Sequence, residues 1–183
     1  SLFLSLGELA TSSFAGSGSA DSRYERIKQT LDDVAERLPA AFDISEIQDK
    51  LEDKDNPHST VFLQECQYIS RLVSEISRHL RDTDLALSGN LTVTPFIEEI
   101  MNALVLDKVP RPWEVMAWPS LRSLGSWVQD LSARHSQLSV WASSPALPIS
   151  TWLPGFVNPQ SFITAVLQSA SRKNDWQIGR AHV

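Results

Sequence analysis

Between residues 58 and 86, apolar side chains recur at spacings of three and four: Phe62, Cys66, Ile69, Val73, Ile76 and Leu80. That period puts them on one side of a long α-helix, because residues three and four apart share a helical face. Pro57 suits the first turn and Gly89 is placed to end the helix. A half-buried strand would need apolar and polar residues in alternation. No alternating run of strand length occurs in the chain, and there is no internal repeat.

Other segments carry the same period. Residues 21–38 form a first helix, with Asp21 or Ser22 as cap, Ile27, Leu31, Val34 and Leu38 on one face, and Pro39 as the stop. A short second helix fits residues 44–53, with Ile44, Ile47 and Leu51 inward. Thr94 caps a further helix that opens on Pro95 and turns Ile97, Ile100, Met101 and Leu104 inward. The two prolines in Val109-Pro110-Arg111-Pro112-Trp113 forbid regular helix there. Residues 120–142 form the last long helix, lined by Leu121, Leu124, Val128, Leu131, Leu138 and Trp141, with His135 interrupting the stripe. After the proline-rich residues 143–158, Asn158 caps a final helix with Phe162, Val166 and Ala170 inward. The expected fold is therefore mainly α, with about six helices and one irregular Pro/Trp-rich loop. Residues 1–20, rich in Ser and Gly from residue 10 onward, read as a flexible linker.

Bulk properties exclude several classes. The net charge is -6, and the 16 basic residues are scattered, which argues against a nucleic-acid face. No apolar run is long enough to span a bilayer, so no membrane partner is expected. The apolar opening Ser1-Leu2-Phe3-Leu4-Ser5-Leu6 has no basic n-region and no initiator Met, so it reads as the interior of a longer reading frame and not as a signal peptide. The single cysteine, Cys66, cannot form an internal disulfide, which favours a reducing compartment. The formal sequon Asn90-Leu91-Thr92 then reads as a chance triplet.

A search for chemistry finds no phosphate loop, no Gly-x-Ser-x-Gly elbow and no paired metal-ligand spacing. His58, His79, His135 and His182 are spread along the sequence and read as surface or helix-face residues. Cys66 lies on an apolar face and reads as a buried, inert thiol. The adjacent carboxylates Asp32 with Asp33 and Glu98 with Glu99 point about 100° apart on a helix, so neither pair forms a dyad. They read as solubilising and helix-dipole groups. The six tryptophans, at positions 113, 118, 127, 141, 152 and 176, read as packing residues that knit irregular segments onto helices. No catalytic residue, cofactor site or metal site is expected in this chain.

Five islands then stand in order: Leu38-Pro39-Ala40-Ala41-Phe42; Phe62-Leu63-Gln64-Glu65-Cys66; Val109-Pro110-Arg111-Pro112-Trp113; Pro119-Ser120-Leu121 through Trp127-Val128-Gln129-Asp130-Leu131; and Trp152-Leu153-Pro154-Gly155-Phe156-Val157-Asn158-Pro159-Gln160-Ser161-Phe162. Together they resemble the C-terminal region of dynein heavy chains, over roughly residues 22–176. The continuation through Arg172-Lys173-Asn174-Asp175-Trp176 looks most like axonemal chains of the outer-arm β type. Pro154 and Val157 depart from the family, which usually has a small or hydroxyl residue and an aromatic there. The ending at residues 177–183 does not follow the family, and relatives continue into a β-rich second half. Under the resemblance the domains are a linker at 1–20, a helical region at 21–176 and a non-matching tail at 177–183.

The resemblance implies a piece of an ATP-driven motor that walks toward microtubule minus ends in cilia or flagella. The ATP and Mg sites would lie upstream in the parent, within its AAA+ ring. This piece would pack on that ring as a structural and regulatory element, and would itself be no enzyme. Implied partners are the ring and, through the parent, intermediate and light chains and microtubules. The implied location is the cytoplasm and cytoskeleton, at the axoneme. Trp152, Phe156 and Gln160 are the candidate contacts with the ring or a neighbouring domain. The alternative is that they brace the loop against this chain's own helices. A different function class also fits the residues: a free-standing helical adaptor that offers the stripe from Phe62 to Leu80 to partner helices.

Overall fold

The computed structural model describes residues 5–51, 56–143 and 150–173, with residues 5–19 and 173 as backbone only. Among the described residues there are seven α-helices and one 3-10 turn, and no strand. The helices are α1 (Ser5–Arg37), α2 (Ile44–Lys50), α3 (Pro57–Leu87), α4 (Pro95–Val105), α5 (Arg111–Met116), α6 (Leu124–Ala142) and α7 (Pro159–Lys173). None of the described helices is long and apolar enough to cross a membrane.

The long stripe becomes the axis of the fold. α3 touches each of the other six helices. Phe62, Cys66, Ile69, Val73, Ile76 and Leu80 are all buried, and so are Glu65, Leu72 and His79, which the stripe did not include. Helices pack around more than one side of α3, so its buried arc is wider than a single amphipathic face. Its ends follow local chemistry. The Asn56 side chain accepts from the His58 amide, Pro57 sits in the first turn, and Gly89 leaves the helix at φ 75°. Only glycine takes that conformation without steric cost.

α2 and α4 also start as their sequences dictate. Asp43 accepts from the Glu46 amide and Thr94 from the Ile97 amide. α6 starts differently, because the Ser123 side chain makes no capping bond. Asp107 takes its place: its carbonyl accepts from the Leu124 amide at 2.9 Å and its carboxylate from the Gly125 amide at 3.2 Å. Asp107 adopts φ 51°, a left-handed conformation unusual outside glycine, and this second cap accompanies it.

Several expectations need correction. The flexible linker expected at residues 1–20 is helix from Ser5 onward, as the first part of α1. Once a helix is nucleated, each added residue forms a backbone bond at little further cost, and Leu6, Glu8, Leu9, Ala10 and Ala15 favour it. The stretch at Pro110 does form a helix, α5, because Pro112 falls in its first turn, where no amide bond is lost. α6 begins at Leu124, so Leu121 lies before it and is fully exposed. On α7 the buried positions are Phe162, Ala165, Ser169 and Ser171, while Val166 faces out and Ala170 is half-buried. The α3 contact selects that arc, and Ser169 reaches Asn56 at 2.9 Å.

Candidate functional site

The Pro/Trp-rich segment is built onto α6 and α3 by side chains distant in sequence. Pro154 lies in a 3-10 turn at Leu153–Gly155. The Gln137 amide of α6 pairs with both backbone groups of Trp152, accepting from its N–H at 2.8 Å and donating to its carbonyl at 3.2 Å. One side chain thus supplies the pair of bonds that a neighbouring strand would make. Gly155 lies so close under the Trp152 ring that a Cβ there would fall 2.3 Å from Cε3. Any larger residue must push the indole aside.

Arg134 of α6 stands behind this turn. Its guanidinium donates to Asp130 at 3.2 Å and to the Phe156 carbonyl at 3.3 Å. It lies 3.9 Å from the centre of the Trp118 ring and 5.4 Å from that of Trp152. Both members of the Arg134–Asp130 pair are buried. Burial pushes the Arg134 pKa down, and Asp130 opposes that shift. A buried pair of this kind gains little net stability, but removing one partner is costly because the other charge is stranded. Its geometric effect is to fix the height of Phe156 and Trp152 above α6.

Glu65 of α3 makes the second attachment. It is buried, and its two carboxylate oxygens accept from the amides of Val157 at 2.8 Å and Asn158 at 2.9 Å. These amides lead into α7, where Asn158 Oδ1 accepts from the Ser161 amide at 3.1 Å and Pro159 has no N–H to offer. A negative charge at a helix N-terminus is favoured by unpaired amides and by the helix dipole. Thus α3 holds α7 by its start, and Phe156 drops into a cluster with Phe62, Trp141 and Phe162.

Aromatic rings continue inward from the turn. Trp118 stacks on Trp127 with centroids 5.4 Å apart, and Trp127 on Trp113 at 6.2 Å. Trp113, Trp118, Trp127 and Trp141 are buried, so these tryptophans pack as expected. Trp176 lies outside the described residues. The column therefore runs from Trp113 through Trp127, Trp118 and Arg134 to Trp152.

The candidate contact residues separate. Phe156 is 2% exposed and braces the loop against its own helices. Trp152 remains 41% exposed. Gln160 is exposed and borders an open groove of about 580 Å³ between α3 and α7, with Thr60, Gln64, Thr164 and Gln168. The residues that position the turn, Glu65, Arg134 and Gln137, were not singled out from the sequence. Glu65 does lie within one of the family-like islands, the one available signal; Arg134 and Gln137 had none.

Other titratable groups are placed as follows. Cys66 is fully buried, and burial pushes its thiol up to about 12. Asp32 and Asp33 sit on the surface beside Lys28 and Arg37, and Glu98 and Glu99 are exposed. His58 and His79 are buried and not on the surface, and His135 is half-buried, stacked on Phe42 at 4.1 Å. His182 lies outside the described residues. Among the described residues no three His, Cys, Asp or Glu side chains are grouped to hold a metal ion.

A family model for the C-terminal domain of the dynein heavy chain matches residues 1–183. The chain belongs to this family. The match to the dynein C-terminal domain takes in both ends that the islands left out, residues 1–20 and 177–183. Among curated relatives, the ciliary dynein beta chain of Tripneustes gratilla is 47% identical over 86% of this chain. The flagellar outer-arm dynein beta chain of Chlamydomonas reinhardtii is 41% identical over 96% of it. Human dynein axonemal heavy chain 17 is 41% identical over 91%. This dynein C-terminal domain spans 4% of the length of each of these relatives. The similarity is thus to axonemal heavy chains, the outer-arm β type among them.

Proposed function

We propose that this chain is the helical part of a ring-facing structural and regulatory element in an axonemal dynein heavy chain. The parent would be an ATP-driven, minus-end-directed microtubule motor of cilia or flagella. In this reading ATP and Mg act in the parent's AAA+ ring, and microtubules and the intermediate and light chains are reached through the parent.

The observation that carries the reading is the outer side of α7. Ile163, Val166 and Leu167 are exposed there, at spacings of three and four. An apolar stripe on a helix is normally covered, and large uncovered patches mark interaction surfaces. Trp152 and Gln160 are the contact residues of this proposal, while Phe156 supports them from within. The adaptor reading loses its basis, because the stripe from Phe62 to Leu80 is buried under this chain's own helices.

The test uses the parent motor with photo-crosslinking residues at positions 160 and 167. Crosslinks to AAA+ ring peptides are expected, together with altered microtubule gliding when Leu167 is replaced by Asp. Absence of ring crosslinks with unchanged gliding would overturn the ring-facing role. A parent reading frame with no AAA+ module upstream would overturn the motor assignment itself.

A further inference from the structure

Two buried groups outside the turn meet where α3, α4 and α5 join. The Trp113 side chain of α5 is fully buried, and its indole N–H donates to His79 Nδ1 of α3 at 3.0 Å. Phe96 of α4 meets the His79 ring edge-on, with centroids 4.8 Å apart. An indole nitrogen can only donate, so Nδ1 carries no proton and the neutral ring keeps its proton on Nε2. Arg78 Nη2 lies 2.9 Å from Nε2, but a guanidinium also can only donate. Arg78 is half exposed and bonded to Glu75 at 2.6 Å, so it can turn away from Nε2–H and keep that acceptor, a freedom the buried indole lacks. The single acceptor of the neutral imidazole therefore belongs to Trp113. Nε2–H is left facing Glu75, 3.6 Å away.

A second proton can enter only at Nδ1. It would set two N–H groups against each other across 3.0 Å in a sealed site. A buried donor that loses its acceptor has no water to replace it, so the contact should open. We infer that His79 is an acid-sensitive latch, fastening α5 to α3 while neutral and releasing Trp113 when it gains a proton. Trp113 is the inner end of the stack through Trp127 and Trp118, so its release loosens the support of Trp152.

The charged groups that face His79 are Glu75, Arg78 and Asp82, all on α3. α4 presents the Phe96 ring and α5 the Trp113 indole. Burial is the largest influence and disfavours the cation; Arg78 adds to it, and Glu75 and Asp82 oppose it. The folded pKa accordingly lies below the usual imidazole value. A group with a depressed folded pKa contributes full stability above its unfolded value, about pH 6.5, and loses it as pH falls through the folded value.

The experiment titrates the 183-residue chain, labelled with 15N-histidine, from about pH 8 downward. Long-range 1H–15N spectra report the tautomer and charge of His79, and the indole proton of Trp113 is followed in parallel. The expected result is an Nε2–H tautomer at high pH and loss of Trp113 indole protection in step with His79 protonation. His79→Asn keeps an acceptor near Nδ1 but cannot titrate, so in that variant the indole should stay protected through the same range. The latch is overturned by any of three results. One is an Nδ1–H tautomer at neutral pH. The second is an indole that stays protected while His79 titrates in the wild type. The third is a His79→Asn variant that loses protection at the wild-type pH.

Discussion

Replacing Glu65 by Met tests the attachment of α7 most directly. Met has similar length and fills the same space, so packing is largely kept while both acceptors vanish. Each bond from an amide to a charged acceptor is worth about 1.5–3 kcal/mol, and the site holds two. Met also removes the cost of burying a carboxylate, which returns part of the loss. The expected net destabilisation is about 2–4 kcal/mol. Glu65→Gln keeps one acceptor oxygen and turns an NH2 toward the other amide, so it should cost about half as much. Urea denaturation followed by tryptophan fluorescence gives the stability change, and hydrogen exchange at Val157 and Asn158 shows whether the loss is local. A Met variant within about 0.5 kcal/mol of wild type, or unchanged protection of those two amides, would refute the argument.

Two further expectations can be checked on the same protein. Cys66, with its thiol held up at about 12, should resist alkylation near neutral pH until the fold opens; stoichiometric labelling of the native state faster than unfolding would contradict its burial. Leu121→Ala should change stability by less than about 0.5 kcal/mol, whereas Leu124→Ala should cost about 2–5 kcal/mol, because the first is fully exposed and the second is 1% exposed. Equal effects in thermal or urea melts would mean that α6 starts earlier than Leu124.

The helices were legible because their causes are local. The stripe from Phe62 to Leu80, the Thr94-Pro95 start and the Gly89 stop each act within one or two turns, and each appears in the structure. Composition misled at residues 10–20, where Ser and Gly content suggested a linker but α1 passes through. Short-range rules also missed the choice of buried arc on α7, which depends on the side of that helix that meets α3. Of the candidate contact residues, their segment was readable, but their orientation was not. Phe156 turns inward and Trp152 outward, because Arg134 and Gln137 hold the turn from α6.

By itself the sequence determined a helical fold, the order of its main elements and, through the ordered islands, its resemblance to the C-terminal region of dynein heavy chains. Periodicity, caps and proline positions are properties of neighbouring residues, so one dimension is enough to display them. Only the tertiary structure decided that a Glu65 carboxylate caps a segment 92 residues away, that Asp107 caps α6, and that His79 receives Trp113. Those pairings join groups whose separation in sequence carries no signal. They form because a buried amide, indole or helix end must find an acceptor, and only the packed core determines which one lies within reach.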